Sequence, residues 1–348
     1  MAIPENQATE QTILQQADAF RAAYQGVREQ VGKMVVGHGD IVDGVLTCLF
    51  TGGNALLEGV PGLGKTLLIR SLSQALSLNF SRIQFTPDLM PADITGTTIA
   101  VEQENDDGSK SRVFQFRQGP IFAQIVLADE INRATPKTQA AMLESMQERS
   151  VTVGGTTYPM SKPFFVMATQ NPIEQEGTYP LPEAQLDRFM LKLEVGYSSR
   201  EDLHEILHRT TMASQPEISP VLDGPKIVEF QKVVRQVIIA PHVQDYAIRA
   251  VLATHPDGEF STPMARQFLR FGGSPRACQA LVLGGKVRAL LDGRAHVSVE
   301  DLKHIMIPAL RHRVLMNFEG QAEGVTPDMV VNDIIDKLPV EASGLAIK

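Results

Sequence analysis

Gly59-Val-Pro-Gly-Leu-Gly-Lys65-Thr66 follows directly on the apolar run Asn54-Ala-Leu-Leu-Glu58, and no other stretch constrains the fold of this chain as tightly. A glycine-rich loop between an apolar strand and an amphipathic helix lets consecutive backbone N–H groups turn inward around a phosphate at the helix N-terminus. In this spacing Gly59, Pro61, Gly62, Leu63 and Gly64 form the cradle, and Lys65 reaches the β- and γ-oxygens. Thr66 offers a hydroxyl to Mg²⁺, and Leu67 begins a run to Leu76 with the 3.6-residue apolar spacing of a helix packed on a sheet. ATP or GTP is therefore the first ligand to consider.

About sixty residues later, Ile125-Val-Leu-Ala-Asp129-Glu130 reads as an apolar strand ending in two carboxylates. After a phosphate loop, such a strand delivers acids to the nucleotide: Asp129 to hold Mg²⁺ through the ion's bound water, Glu130 to polarise a water for in-line attack on the γ-phosphate. Phe164-Phe-Val-Met-Ala-Thr-Gln-Asn171-Pro172 is a further apolar strand with a polar tip. Asn171 is a candidate hydrogen-bond partner of the attacking water or the γ-phosphate, or else a turn residue before proline.

The rest of the chain alternates in the same way as far as Val195. Residues 55–57, 82–85, 125–128 and 164–168 read as strands separated by helices, the pattern of a parallel α/β sheet. Residues 98–102 and 112–116 flank Asn105-Asp-Asp-Gly108, and residues 150–153 and 156–158 flank Gly154-Gly155, so two β-hairpins interrupt the alternation. Beyond Ser199 the strand signal fades, and 201–213, 223–239, 243–254, 276–291 and 299–311 read as helices; the first 30 residues suggest one amphipathic helix. With 43% hydrophobic and 21% charged residues, the 348-residue chain has material for two cores. A net charge of −8 argues against broad nucleic-acid binding. No apolar run approaches the roughly 20 residues that cross a bilayer. The polar, acidic start shows no secretory signal, and Cys48 and Cys278 share no metal or redox spacing, which together predict a reducing cytoplasm.

His204-Glu205-Ile-Leu-His208 fits HExxH, which on a helix brings two imidazoles to one face beside a potential base. The continuation Arg209-Thr-Thr-Met-Ala-Ser214 lacks the glycine and third histidine of the extended zinc-protease pattern. Leu203, Ile206 and Leu207 give the helix an apolar stripe, and Ser199-Arg-Glu-Asp202 opens it like a capping box, so a linker helix is the expected reading.

Taken in order, these motifs resemble the AAA+ ATPases and, at finer grain, the MoxR family, over about residues 30–315. The loop at 59–66 is similar to Walker A, 125–130 to Walker B and Asn171 to sensor 1. Leu181-Pro-Glu-Ala-Gln-Leu-Asp-Arg188-Phe189 resembles the arginine-finger segment, and Gly273-Ser-Pro-Arg276-Ala277 the sensor 2 motif. The segment from Phe85 to Gly96 is similar to the one before the family's first insertion. The resemblance implies a P-loop αβα domain with a parallel five-stranded sheet and two hairpin inserts, then an all-helical lid. It divides the chain into an N-terminal helical segment (1–32), the nucleotide domain (33–198), a linker (199–222), the lid (223–315) and a tail (316–348). It further implies ATP and Mg²⁺, a hexameric ring, Arg188 offered to a neighbour's γ-phosphate, and Arg276 reading nucleotide state in cis. Arg133 is a second candidate for the neighbouring site or a local ion pair. Val36 and Gly37 match the family's adenine contacts, with a plain turn equally compatible. Expected clients are separate proteins with von Willebrand factor A domains. A helicase-like nucleic-acid motor, a magnesium chelatase subunit and an ATP-sensing module without turnover are the competing readings.

Overall fold

The computed structural model describes residues 5–60, 62, 64–104, 110–172, 177–211 and 216–341. Pro61 and Leu63 of the loop, and the turn sequence Asn105-Asp-Asp-Gly108, lie outside the described residues.

Helices α1 (Glu5–Met34) and α2 (Gly39–Thr51) precede β1 (Ala55–Gly59) and the loop helix α3 (Lys65–Ala75). Next come β2 (Phe80–Gln84), the short α4 (Pro91–Thr95), a hairpin of β3 (Gly96–Glu104) and β4 (Lys110–Gln118), then β5 (Ile125–Asp129) and α5 (Pro136–Glu148). A second hairpin, β6 (Ser150–Val153) and β7 (Thr156–Pro159), leads to β8 (Phe165–Gln170), the single turn α6 (Glu183–Leu186), β9 (Leu191–Val195) and α7 (Arg200–Thr211). The remainder is α8 (Gly224–Gln236), α9 (Pro241–Leu252), α10 (Pro263–Phe268), β10 (Leu269–Phe271), α11 (Pro275–Leu291), α12 (Val299–Leu310), β11 (Leu315–Met316), α13 (Phe318–Ala322) and α14 (Pro327–Lys337).

One all-parallel sheet takes the order β2-β5-β8-β1-β9. Its inner strands are apolar at successive positions because alternate side chains point to opposite, equally covered faces. Ala55, Leu57, Ile125, Leu127, Phe165 and Met167 join one core, with α1, α2 and α3 above them. Leu56, Val126, Ala128, Val166 and Ala168 join the other, against Ile94 of α4 and Met142, Leu143 and Met146 of α5. β9, which the periodicity does not single out, is an edge strand. It alternates apolar Leu191, Leu193 and Val195 with Lys192 and Glu194, and Lys192 pairs with Glu58 at 2.9 Å.

Both hairpins form as expected from their turn sequences. The first pivots at Gly96, whose φ of 92° suits glycine; a Cβ there would stand 2.2 Å from the Arg117 carbonyl oxygen. Phe116 of the first hairpin stacks on Tyr158 of the second, with centroids 4.2 Å apart and planes 24° from parallel.

In the helical region, Gly284 and Gly285 let α11 and α12 approach closely: a Cβ on Gly284 would meet Ile305 Cγ2 at 2.8 Å. A two-stranded antiparallel ribbon, β10 with β11, accompanies the helices; strands of three and two residues carry no readable periodicity. α14 lies on α10 and α12 with Val330, Val331 and Ile334 fully buried, so the chain packs well beyond residue 316. α1 joins the two regions, touching α2 and α3 on the sheet side and α8 and α11 on the other. There Phe20 meets Phe50 and Phe230 edge-on, at centroid distances of 5.0 and 5.5 Å.

Candidate functional site

The site lies where the carboxyl ends of the parallel strands meet, the place an open α/β sheet reserves for ligands. β1 ends at Gly59 and the loop turns through Gly62 and Gly64, with φ of 87° and 77°, into α3. A Cβ at either of these two glycines would meet nothing within 4 Å, so glycine is required there for its left-handed backbone and not for lack of space. At Gly59 the reason is steric: a Cβ would stand 2.7 Å from the Val195 carbonyl oxygen of β9. Lys65 Nζ donates to the Gly59 carbonyl at 2.6 Å, which folds its ammonium over the loop. Partial burial lowers its pKa, and Asp129, Glu130 and Glu58 oppose that shift.

Gly62, Gly64, Lys65, Thr66, Leu67, Asp129, Glu130 and Asn171 line one cleft of about 400 Å³, together with Arg82. Four residues from three separated segments, Arg82, Asp129 with Glu130, and Asn171, thus converge with the loop. Asp129 is buried; its Oδ1 accepts from Thr169 Oγ1 at 2.7 Å, and its Oδ2 from Arg82 Nε and Nη2 at 3.0 and 2.6 Å. The carboxylate of Glu130 accepts from Gln84 Nε2 at 2.8 Å and lies 3.1 Å from Arg133 Nε. Its backbone is left-handed at φ 57°, which costs a non-glycine residue about 1–3 kcal/mol. The Glu130 N–H donating to Thr169 Oγ1 at 2.9 Å helps hold that conformation.

Arg82, Gln84 and Thr169 are site residues that the motif reading misses. A signal existed for each. Arg82 and Gln84 flank the buried Ile83 in a strand, so they share the face opposite to it, and Gln84 is in register with Asp129. Thr169 is a fully buried hydroxyl inside an otherwise apolar strand.

Other sequence-predicted residues lie elsewhere. Arg133 makes the local ion pair with Glu130 described above. Arg188, half-buried just past α6, and Arg276, in the first turn of α11, are both absent from the cleft lining. Arg276 Nη1 is 3.6 Å from Asp187 Oδ2, beside Arg188 in sequence, because the N-terminus of α11 packs on the segment before β9. Arg276 thus contacts the segment that carries Arg188. Val36 is half-buried and Gly37 exposed ahead of α2, outside that cleft. A Cβ on Gly37 would meet the Asp202 carboxyl at 2.9 Å, so the first turn of α7 closes on this loop.

The HExxH helix is indeed capped by Ser199 and Asp202, with reciprocal bonds of 3.1 Å. Its histidines are exposed and Glu205 binds Arg209 at 2.6 Å, while Arg209 Nη1 donates to the Gly32 and Lys33 carbonyls at 2.7 Å, docking α7 on the end of α1. Among the described residues no group of three or more histidine, cysteine or acidic side chains is placed to hold a metal ion.

A central strand feeding a glycine loop and helix, with an Asp-Glu pair and an asparagine at the neighbouring strand ends, is the architecture of the phosphate-loop nucleotide-binding proteins. Known proteins narrow the class. The family described as "ATPase family associated with various cellular activities (AAA)" matches residues 54–191, and the AAA lid domain matches residues 263–334. Chaperone MoxR1 of Mycobacterium tuberculosis is 40% identical over 306 residues, 88% of this chain and 79% of that protein. The uncharacterized protein YeaC of Bacillus subtilis is 40% identical over 91% of this chain and 95% of its own. Protein MoxR of Methylorubrum extorquens is 29% identical over 89% and 93%. A crystal structure from Cytophaga hutchinsonii, assigned as an ATPase, superposes with a TM-score of 0.86 at 38% identity, covering 94% of this chain and 98% of that one. The chain belongs to the MoxR family of AAA+ ATPases.

Proposed function

We propose that the protein hydrolyses ATP with Mg²⁺ as a homo-oligomeric, hexameric ring in the cytoplasm, and uses the cycle to remodel or assemble protein clients. The observation that carries this reading is the division of the site. One cleft gathers Lys65, Thr66, Asp129, Glu130 and Asn171, while Arg276 contacts Asp187, the sequence neighbour of Arg188, and neither arginine lines that cleft. A neighbouring copy is then the natural recipient of Arg188, whose guanidinium offsets charge developing on the γ-phosphoryl group. Arg276, in the first turn of α11, would read the nucleotide state of its own subunit.

The Thr66 hydroxyl and Asp129 carboxylate are oxygen donors lining one cleft, a set that suits Mg²⁺. Thr66 and Asp129 would hold the ion there, and it would supply charge neutralisation for the phosphates. Loop N–H groups and Lys65 hold the phosphates. Glu130, released from Gln84 and Arg133, orients the attacking water, and Asn171 fixes it from the tip of β8.

A protein client is favoured over a nucleic acid by the first hairpin, where Lys110 and Arg112 stand across from Glu104 and Glu102 in the ladder. Lys110 is 3.7 Å from Glu102, and Phe114 is 80% exposed. Von Willebrand factor A proteins as partners rest on the MoxR membership. Among the described residues no helix is long and apolar enough to cross a membrane.

The test is the steady-state ATPase rate per protomer across a wide range of protein concentration. A rate that rises cooperatively and falls about 10³-fold in Arg188→Ala is expected; a flat rate from a monomer overturns the ring. Lys65→Ala is expected to abolish nucleotide binding and Glu130→Gln to keep it while stopping turnover. Equal ATP affinity of Lys65→Ala and the parent protein counts against the site itself.

A further inference from the structure

Residues 187–190 join the single turn of α6 to the edge strand β9, and Arg188 sits in the middle of them. Hydrogen bonds within the sheet domain hold this segment by its N–H groups: Arg188 to the Gln185 carbonyl at 3.2 Å, Phe189 to that of Leu186 at 3.1 Å, and Met190 to that of Asn54 at 2.8 Å. Most of its acceptor groups are engaged by one side chain of the helical region. Arg313, three residues past α12 and 3% exposed, donates through Nε to Asp187 Oδ1 at 2.8 Å. Its Nη2 reaches the carbonyls of Phe189 at 2.6 Å and Asp187 at 3.2 Å, and its Nη1 the carbonyls of Met190 at 3.0 Å and of Ala309. All five guanidinium hydrogens are thereby engaged, and four of the five acceptors belong to residues 187–190. His312 Nε2 adds a hydrogen bond with the Phe189 carbonyl at 3.0 Å. Ser274 Oγ, which caps α11, donates to Asp187 Oδ2 at 2.8 Å. Arg188 itself has a buried Nε without a hydrogen-bond partner, on the backbone segment that Arg313 grips.

We infer that Arg313, acting through Asp187 and the carbonyls flanking Arg188, is the positioning residue of the arginine that each copy donates to its neighbour. The inference rests on the reading of Arg188 as that donor. The latch is rigid because a saturated, buried guanidinium fork has a single geometry, which a lysine cannot copy. Its consequence is directional: a shift of α11 and α12 in one copy moves Arg188, and turnover changes in the next copy. The helical region of a subunit then governs its neighbour's hydrolysis.

Mixed rings test this. Parent subunits are combined with an excess of Glu130→Gln subunits, which bind ATP without turning over and still donate Arg188, and kcat and KM are read per parent subunit. With Asp187→Asn or Arg313→Lys added to the donor, kcat of the unaltered parent subunits is expected to fall about tenfold or more at unchanged KM, since displacing a catalytic group by about 1 Å costs up to 10²-fold. Arg188→Ala in the donor is the reference for full loss. If that reference lowers kcat and the two latch variants do not, Arg313 is not the positioning residue and the donated arginine stands. If even Arg188→Ala in the donor leaves kcat intact, the donation reading fails and the inference falls with it. Donors that no longer co-assemble by size-exclusion chromatography assign the latch to assembly alone and also overturn the inference.

Discussion

Single residues carry more than one duty in this chain. His312 is buried, and desolvation, reinforced by Arg313, Lys192 and Arg311, lowers its pKa well below the ordinary 6.5. The imidazole is therefore neutral when folded and free to protonate when unfolded, so the unfolded state binds the extra proton as pH falls. Stability is lost on the acid side, by up to about 1.4 kcal/mol per pH unit below roughly 6.5 from this group alone. The melting temperature is expected to drop between pH 7 and 5, and His312→Gln to show a shallower drop in the same scan; parallel curves count against the assignment. Glu130 shows the opposite economy of means, a catalytic candidate held in a strained backbone with its carboxylate bound by Gln84 and Arg133. The Walker residues were legible because their spacing is itself the chemistry. Arg82 and Thr169 left only the faint signal of polar residues in an apolar strand, and Arg313 none, since each acts through a partner far away in sequence: Asp129 for the first two, 187–190 for the third.

Among the elements, the strands were readable wherever both faces are covered, as in β5 and β8, and least so at the edge, in β9. The hairpins were announced by their turns, yet their union by the Phe116–Tyr158 stack depends on where the sheet places them. Such a stack contributes about 0.5–1.5 kcal/mol beyond its buried area. Tyr158→Ala is expected to speed amide exchange along β3 and β4 severalfold while leaving β1, β5 and β8 as protected as before. Unchanged exchange in the first hairpin indicates that the two inserts move independently. The linker helix α7 shows how an element can be predicted correctly and its surroundings remain open. Its stripe of Leu203 and Leu207 stays 51% and 59% exposed, and the helix docks through Arg209 instead.

At the scale of the whole molecule, α1 and α14 close the assembly from opposite ends of the sequence. α14 lays Val330, Val331 and Ile334 against α10 and α12, and a fully buried aliphatic side chain contributes about 1.5–3 kcal/mol. A chain ending at residue 325 is expected to melt several degrees lower and to bind a hydrophobic dye, which calorimetry and fluorescence read directly. An unchanged melting temperature shows that the helix adds nothing to the core. α1 makes the complementary bridge, because Phe20 fits between Phe50 of the sheet side and Phe230 of the helical side.

The sequence by itself determined the parallel sheet, the two hairpins, the helical second region and the phosphate and acid motifs. Each is written in local periodicity or in fixed spacing, which neighbouring residues enforce without help from distant ones. Only the tertiary structure decided which charges share a site. It set Arg82 on Asp129, put Gln84 on Glu130, and drew Arg276 with Arg313 to Asp187. Those pairings arise from strand order and helix packing, and contacts between elements far apart in sequence leave no period for a single sequence to show.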